Sequence, residues 1–75
     1  MSKTILFENL ENELATLRTS KKEFALYLGF SPTTLYLKLK GKREFTLLEM
    51  EKAASFIEIE TGQRPALDYL FKKSH

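Results

Sequence analysis

The chain has 75 residues, 43 % hydrophobic, 29 % charged and 12 % aromatic, with 12 basic and 10 acidic residues, no cysteine and one histidine, His75. That is enough for one small core and too apolar for a disordered tail, and it excludes a disulfide scaffold and every thiolate-ligated metal site. With a single imidazole, no cofactor-cradling glycine loop and no paired carboxylates, the chain is expected to be neither an enzyme nor a cofactor or metal protein. No apolar run approaches the roughly 18–20 residues of a membrane span, and the start is too short for a secretory signal, so a soluble cytoplasmic protein is expected.

Steps of three and four dominate the apolar spacing, which is the period of a helix. From Thr4 to about Arg18, Leu6, Phe7, Leu10, Leu14 and Leu17 make one face, with Glu8, Glu11 and Glu13 on the wet side. Ser20 and Glu23 form a capping box that opens a short second helix through Phe24, Ala25 and Leu28, ended by Gly29. Ser31-Pro32 opens a third, which runs to about Lys40 and stops at Gly41. After the loop Lys42-Arg43-Glu44-Phe45, a second capping box, Thr46 with Glu49, opens a fourth helix through Leu47, Met50, Ala53, Ala54 and Ile57. The alternation Phe56-Ile57-Glu58-Ile59-Glu60 suits a strand weakly and also continues that helix. Gly62 to Pro65 is a loop, and Pro65 to Phe71 a last short helix. The expected fold is all-α: one domain over residues 1–75, a compact bundle of about five short helices. Its core is expected to hold Phe24, Leu28, Phe30, Leu35, Leu39, Phe45, Leu47 and Met50.

The second and third helices carry the functional signal. Ala25, a small residue four before the turn glycine, and Leu35, an aliphatic six after it, have the spacing of a helix-turn-helix. At about 100° per residue, Leu35 and Leu39 point to the core while Thr33, Tyr36, Leu37 and Lys40 project outward. An ordinary surface helix would show Glu and Lys there. This one shows hydroxyls and apolar groups suited to base edges and thymine methyls, with Lys40 suited to a base or a phosphate. Tyr36 has a plainer alternative, lying against Lys40 as a surface contact.

Charge is distributed in the same sense. Residues 1–17 carry a net −2, residues 18–43 a net +6 and residues 44–75 a net −2, so the small overall excess is a cancellation. Lys21, Lys22, Lys38, Lys42 and Arg43, with the hydroxyls of Ser31 and Thr34, are assigned to phosphate contacts that position the helix.

These residues resemble the lambda-repressor/Cro-like (XRE-type) helix-turn-helix domain of phage and bacterial regulators, particularly its small phage-type members. The likeness runs from Ser20-Lys21-Lys22-Glu23-Phe24-Ala25 through Gly29-Phe30-Ser31-Pro32 to Leu35. It continues in Lys38-Leu39-Lys40-Gly41-Lys42, Phe45-Thr46-Leu47 and the fourth helix, covering roughly residues 18–60. It implies a regulator of operator DNA, the third helix in the major groove and the second across the backbone, acting at the nucleoid of a bacterium or phage-infected cell. Family members often bind as dimers. Leu67, Tyr69, Leu70 and Phe71 are therefore assigned either to a self-association surface or to closing the core. Two departures stand out: Lys21 replaces the family's usual glutamine, and Glu58 stands where a glycine often ends the fourth helix. The alternative function is a protein-interaction module, an antitoxin or anti-regulator, docking through Tyr36 and Leu37.

Overall fold

The computed structural model describes residues 5–74; Lys3, the expected Thr4 start of the first helix and His75 lie outside them. Five helices follow in order: α1 (Glu8–Ala15), α2 (Lys21–Leu28), α3 (Pro32–Leu39), α4 (Leu47–Thr61) and α5 (Leu67–Leu70). No strand occurs among the described residues, and Phe56 to Glu60 are helical. The expected all-α bundle is the observed one.

Local chemistry sets most of the boundaries. Both capping boxes form: Ser20 Oγ accepts the Glu23 N–H while Glu23 accepts the Ser20 N–H, and Thr46 and Glu49 do the same for α4. Each N-cap is worth about 1 kcal/mol. Helix α2 ends on Gly29 at φ +88°, with Phe30 N–H bonded to Ala25 O at 2.8 Å and Gly29 N–H to Leu26 O at 3.1 Å, a Schellman closure.

Helix α1 is shorter than the spacing predicts. Thr16 Oγ1 donates to Glu13 O at 2.7 Å, a local side-chain bond that competes with further helix, and residues 16–19 turn instead. Helix α5 is likewise a single turn rather than Pro65 to Phe71. Helix α4 runs through Glu58 to Thr61 and stops at Gly62, φ +83°, so a terminal glycine is present four residues beyond Glu58, at the end of a longer helix.

Helix α2 packs on α3 and α4, α4 on α5, and α1 on α5. Ala25, Ala53 and Ala54 are fully buried and let α2 and α4 approach closely, while Leu10, Phe24, Ile57 and Leu70 fill the centre. The Phe24 ring meets Phe56 edge-on at 5.2 Å. A second aromatic group, Phe7, Phe45 and Phe71, makes mutual edge contacts at 5.0–5.9 Å beside the loop that follows α3. Two core expectations change. Leu47 is 63 % exposed, because it opens α4 on the solvent side, and Met50 is only half-buried. The buried side of α4 is formed by Ala53, Ala54, Phe56 and Ile57.

Of the two roles open to the carboxy-terminal residues, closing the core is the one that Leu67, Leu70 and Phe71 fill. Leu70 is fully buried, and Leu67 and Phe71 pack against the core cluster. Asn9 Nδ2 donates to Tyr69 O at 2.8 Å, the Tyr69 hydroxyl to Glu13 Oε2 at 3.0 Å, and Ser74 N–H to Leu6 O at 2.7 Å. The segment is thereby fastened along α1. Tyr69 alone of the four is exposed.

Gly41 joins this packing to the loop after α3. Its φ is +80°, and a Cβ there would lie 2.7 Å from Leu6 Cδ2, whereas a Cβ at Gly29 would meet nothing within 4 Å. Gly29→Ala therefore costs the left-handed strain alone, about 1 kcal/mol, and Gly41→Ala that strain plus displacement of Leu6, about 2 kcal/mol. Urea unfolding of the two variants checks the order; equal losses would mean that Leu6 yields freely.

Candidate nucleic-acid interface

Helix α3 begins where its hydroxyls are committed. Ser31 Oγ accepts the Thr34 N–H at 3.1 Å and its hydroxyl donates to Thr34 Oγ1 at 3.1 Å, with Pro32 as first helical residue. Ser31 is thus an N-cap rather than a free phosphate donor, and Thr34 is half-buried beside it.

Leu35, Lys38 and Leu39 are buried, and Thr33, Tyr36 and Lys40 are exposed. Tyr36 keeps 57 % of its surface in solvent, and Lys40 Nζ lies 5.6 Å from the centre of its ring. Tyr36 thus lies on the outer face with the Lys40 ammonium over its ring, the plainer arrangement that the sequence allows. Leu37 departs from expectation. It is half-buried rather than fully outward, and its carbonyl accepts the Lys42 N–H at 2.9 Å.

That bond, with Gly41 N–H to Lys38 O at 3.1 Å, is a second Schellman closure, and it turns the chain so that Lys42 and Arg43 follow α3 directly. Both are exposed and neither has an ion-pair partner among the described residues; the same is true of Lys22. Lys21 is exposed but its Nζ pairs with Glu11 Oε1 at 2.6 Å, which ties the start of α2 to α1.

Lys38 corrects the sequence assignment most sharply. Only 6 % of it is exposed. Its Nζ donates to Glu49 Oε1 at 2.6 Å and to Glu44 O at 3.1 Å, and lies 4.7 Å from the Phe30 ring centre and 5.9 Å from that of Phe45. No phosphate reaches it without breaking the pair. The signal was present in the spacing: Lys38 lies three residues after Leu35, on the core side of the helix. Its partner is the same Glu49 that caps α4, so one carboxylate joins the end of α3, the loop and the start of α4. Burial alone would raise the Glu49 pKa. The hydrogen bonds from Lys38 and the Thr46 N–H outweigh burial, and the net shift is downward.

The other ionic cluster lies away from this face. Arg64 bonds Glu51 at 2.7 Å, Ser55 at 2.8 Å and Glu58 at 3.3 Å, holding the loop after α4 against that helix. The Glu51 and Glu58 hydrogen bonds raise its pKa. Among the described residues, no group of three or more His, Cys, Asp or Glu is arranged to hold a metal ion, and no helix is long and apolar enough to cross a membrane. No family model matches the chain, and neither a curated protein nor a solved structure matches it.

Proposed function

We propose that the chain is a small sequence-specific regulator that binds double-stranded DNA, of the phage or mobile-element repressor/Cro type. Helices α2 and α3 would act as a helix-turn-helix, with α3 in the major groove and α2 across the backbone. The observation that carries this is the exposed, acid-free stripe Thr33, Tyr36 and Lys40, continued without a break into the unpaired cations Lys42 and Arg43. Bases face Thr33, Tyr36, Leu37 and Lys40. Phosphates face Lys42, Arg43 and Lys22, with Lys21 in a lesser part because Glu11 holds it. Such a protein works in the cytoplasm at nucleoid DNA, occupies two half-sites as a homodimer and performs no catalysis. Leu70 is in the core and Leu67 and Phe71 pack against it, so that pairing uses another surface.

Selection of bound duplexes from a random pool at near-physiological salt is the test. The expected result is a palindromic consensus. Failure to enrich any sequence favours the second reading, a protein-interaction module using the exposed face of Tyr36 with Leu37. What favours that reading is exposed aliphatic surface, since Leu26, Leu47, Leu48 and Ile59 are each more than 60 % exposed.

A further inference from the structure

The outer face of α3 bears none of the side chains that read a base pair with two hydrogen bonds, apart from the lysine at its end. From Thr33 to Lys40 the sequence is Thr-Thr-Leu-Tyr-Leu-Lys-Leu-Lys, with no Arg, Asn, Gln, Asp or Glu. Adenine is usually read in the major groove by Asn or Gln, cytosine by a carboxylate and guanine by Arg or Lys; the thymine methyl is read by apolar contact. Burial of Leu35, Lys38 and Leu39 removes the second lysine from that face, and half-burial of Thr34 against Ser31 removes a hydroxyl. What remains is the Thr33 methyl and hydroxyl, the Tyr36 ring, the accessible part of Leu37 and the Lys40 ammonium. Lys40 rests over the Tyr36 ring and so has a defined place at the far end of the stripe.

From these groups we infer that the half-site read by α3 is a short thymine-bearing segment, distinguished by its methyl groups, with a single guanine at the Lys40 end. The inference rests on the DNA-binding reading above and specifies its ligand. The stripe is about 10 Å long at 1.5 Å per residue, so α3 laid along a groove covers about three base pairs. Thymine methyls protruding into the major groove meet Thr33, Tyr36 and Leu37, and the Lys40 ammonium donates to guanine O6 or N7. Lys42 and Arg43 lie beyond the stripe, on the turn, and supply affinity without sequence preference.

The experiment takes the duplex enriched by selection and replaces each thymine of the half-site in turn by uracil, which removes only the methyl group. Fluorescence anisotropy gives the dissociation constants. The expected loss is about fourfold for each methyl that meets the stripe, the worth of one buried methyl-sized group. In Tyr36→Ala and Leu37→Ala, one of these positions ceases to distinguish thymine from uracil. Because Leu37 is half-buried, the exposed Thr33→Ser and Tyr36→Ala variants test the same point without disturbing the fold. A consensus without thymine in this segment, or uracil duplexes that bind equally well, overturns the inference and leaves DNA binding intact. A pool from which nothing is enriched overturns both.

Discussion

Lys38→Met is expected to lower the free energy of unfolding by about 2–4 kcal/mol, a large part of the roughly 4–11 kcal/mol available to a domain of this length. The substitution keeps the volume beside Phe30 and Phe45 but leaves the Glu49 carboxylate and the Glu44 carbonyl without the amine that bonds both. The loss stays below that of a fully enclosed pair because Glu49 keeps some contact with water, its side chain being 21 % exposed. A double-mutant cycle with Glu49→Gln isolates the pair, and a coupling of more than about 1 kcal/mol is expected. Additive losses would show that Lys38 matters only as packing. The acid limb of stability should change too. Hydrogen bonds hold the folded Glu49 pKa below its ordinary value of 4.5, so the folded state resists protonation there more than the unfolded chain does. The pair's contribution is therefore present above about pH 4.5 and lost as pH falls through the folded value. Urea midpoints between pH 7 and pH 3 should fall more steeply for the parent protein than for Lys38→Met; parallel curves would contradict the assignment.

Reversing the two cations of the turn should have the opposite signature, with folding kept and binding lost. Lys42 and Arg43 are exposed and unpaired among the described residues, so Lys42→Glu with Arg43→Glu leaves the free energy of unfolding within about 0.5 kcal/mol of the parent. On the proposed reading, affinity for duplex DNA should fall at least 100-fold, since two phosphate contacts would be lost and two repulsions gained. Circular dichroism and an anisotropy titration on the same preparations separate the two readouts. Retention of affinity within about threefold would remove the turn from the DNA interface.

Much of the fold was legible because it is written in local chemistry. Ser20 with Glu23, Thr46 with Glu49, and the glycines at positions 29 and 41 act through bonds a few residues long, and the structure forms them where the sequence predicts. The all-α bundle follows from the same spacing. Long-range effects were not legible. Residues as far apart as Tyr69 and Glu13, or Ser74 and Leu6, fasten the carboxy terminus to α1, and no periodicity announces such contacts. That is why Leu70, Leu67 and Phe71 read equally well as core or as interface. Lys38 reads as a phosphate contact by its type, since a lysine is ordinarily solvated, whereas its spacing from Leu35 puts it on the core side, where it is buried. Helical geometry alone puts Thr33, Tyr36 and Lys40 on the outer face, where they lie; Leu37 is half-buried, and the turn folds back so that the Lys42 N–H bonds its carbonyl. The block of excess positive charge, residues 18–43, loses Lys38 to a buried pair and has Lys21 tied to Glu11, which leaves Lys40, Lys42 and Arg43 together at the end of α3.

Salt dependence of duplex binding tests the central claim most directly. Between about four and eight phosphates contacted per dimer should give a slope of roughly −4 to −7 when the logarithm of the association constant is plotted against that of salt concentration. The Lys42→Glu, Arg43→Glu variant, if binding is still measurable at low salt, should give a shallower slope. A parent protein that binds no duplex at 50 mM salt, or whose binding is indifferent to salt, would contradict the account.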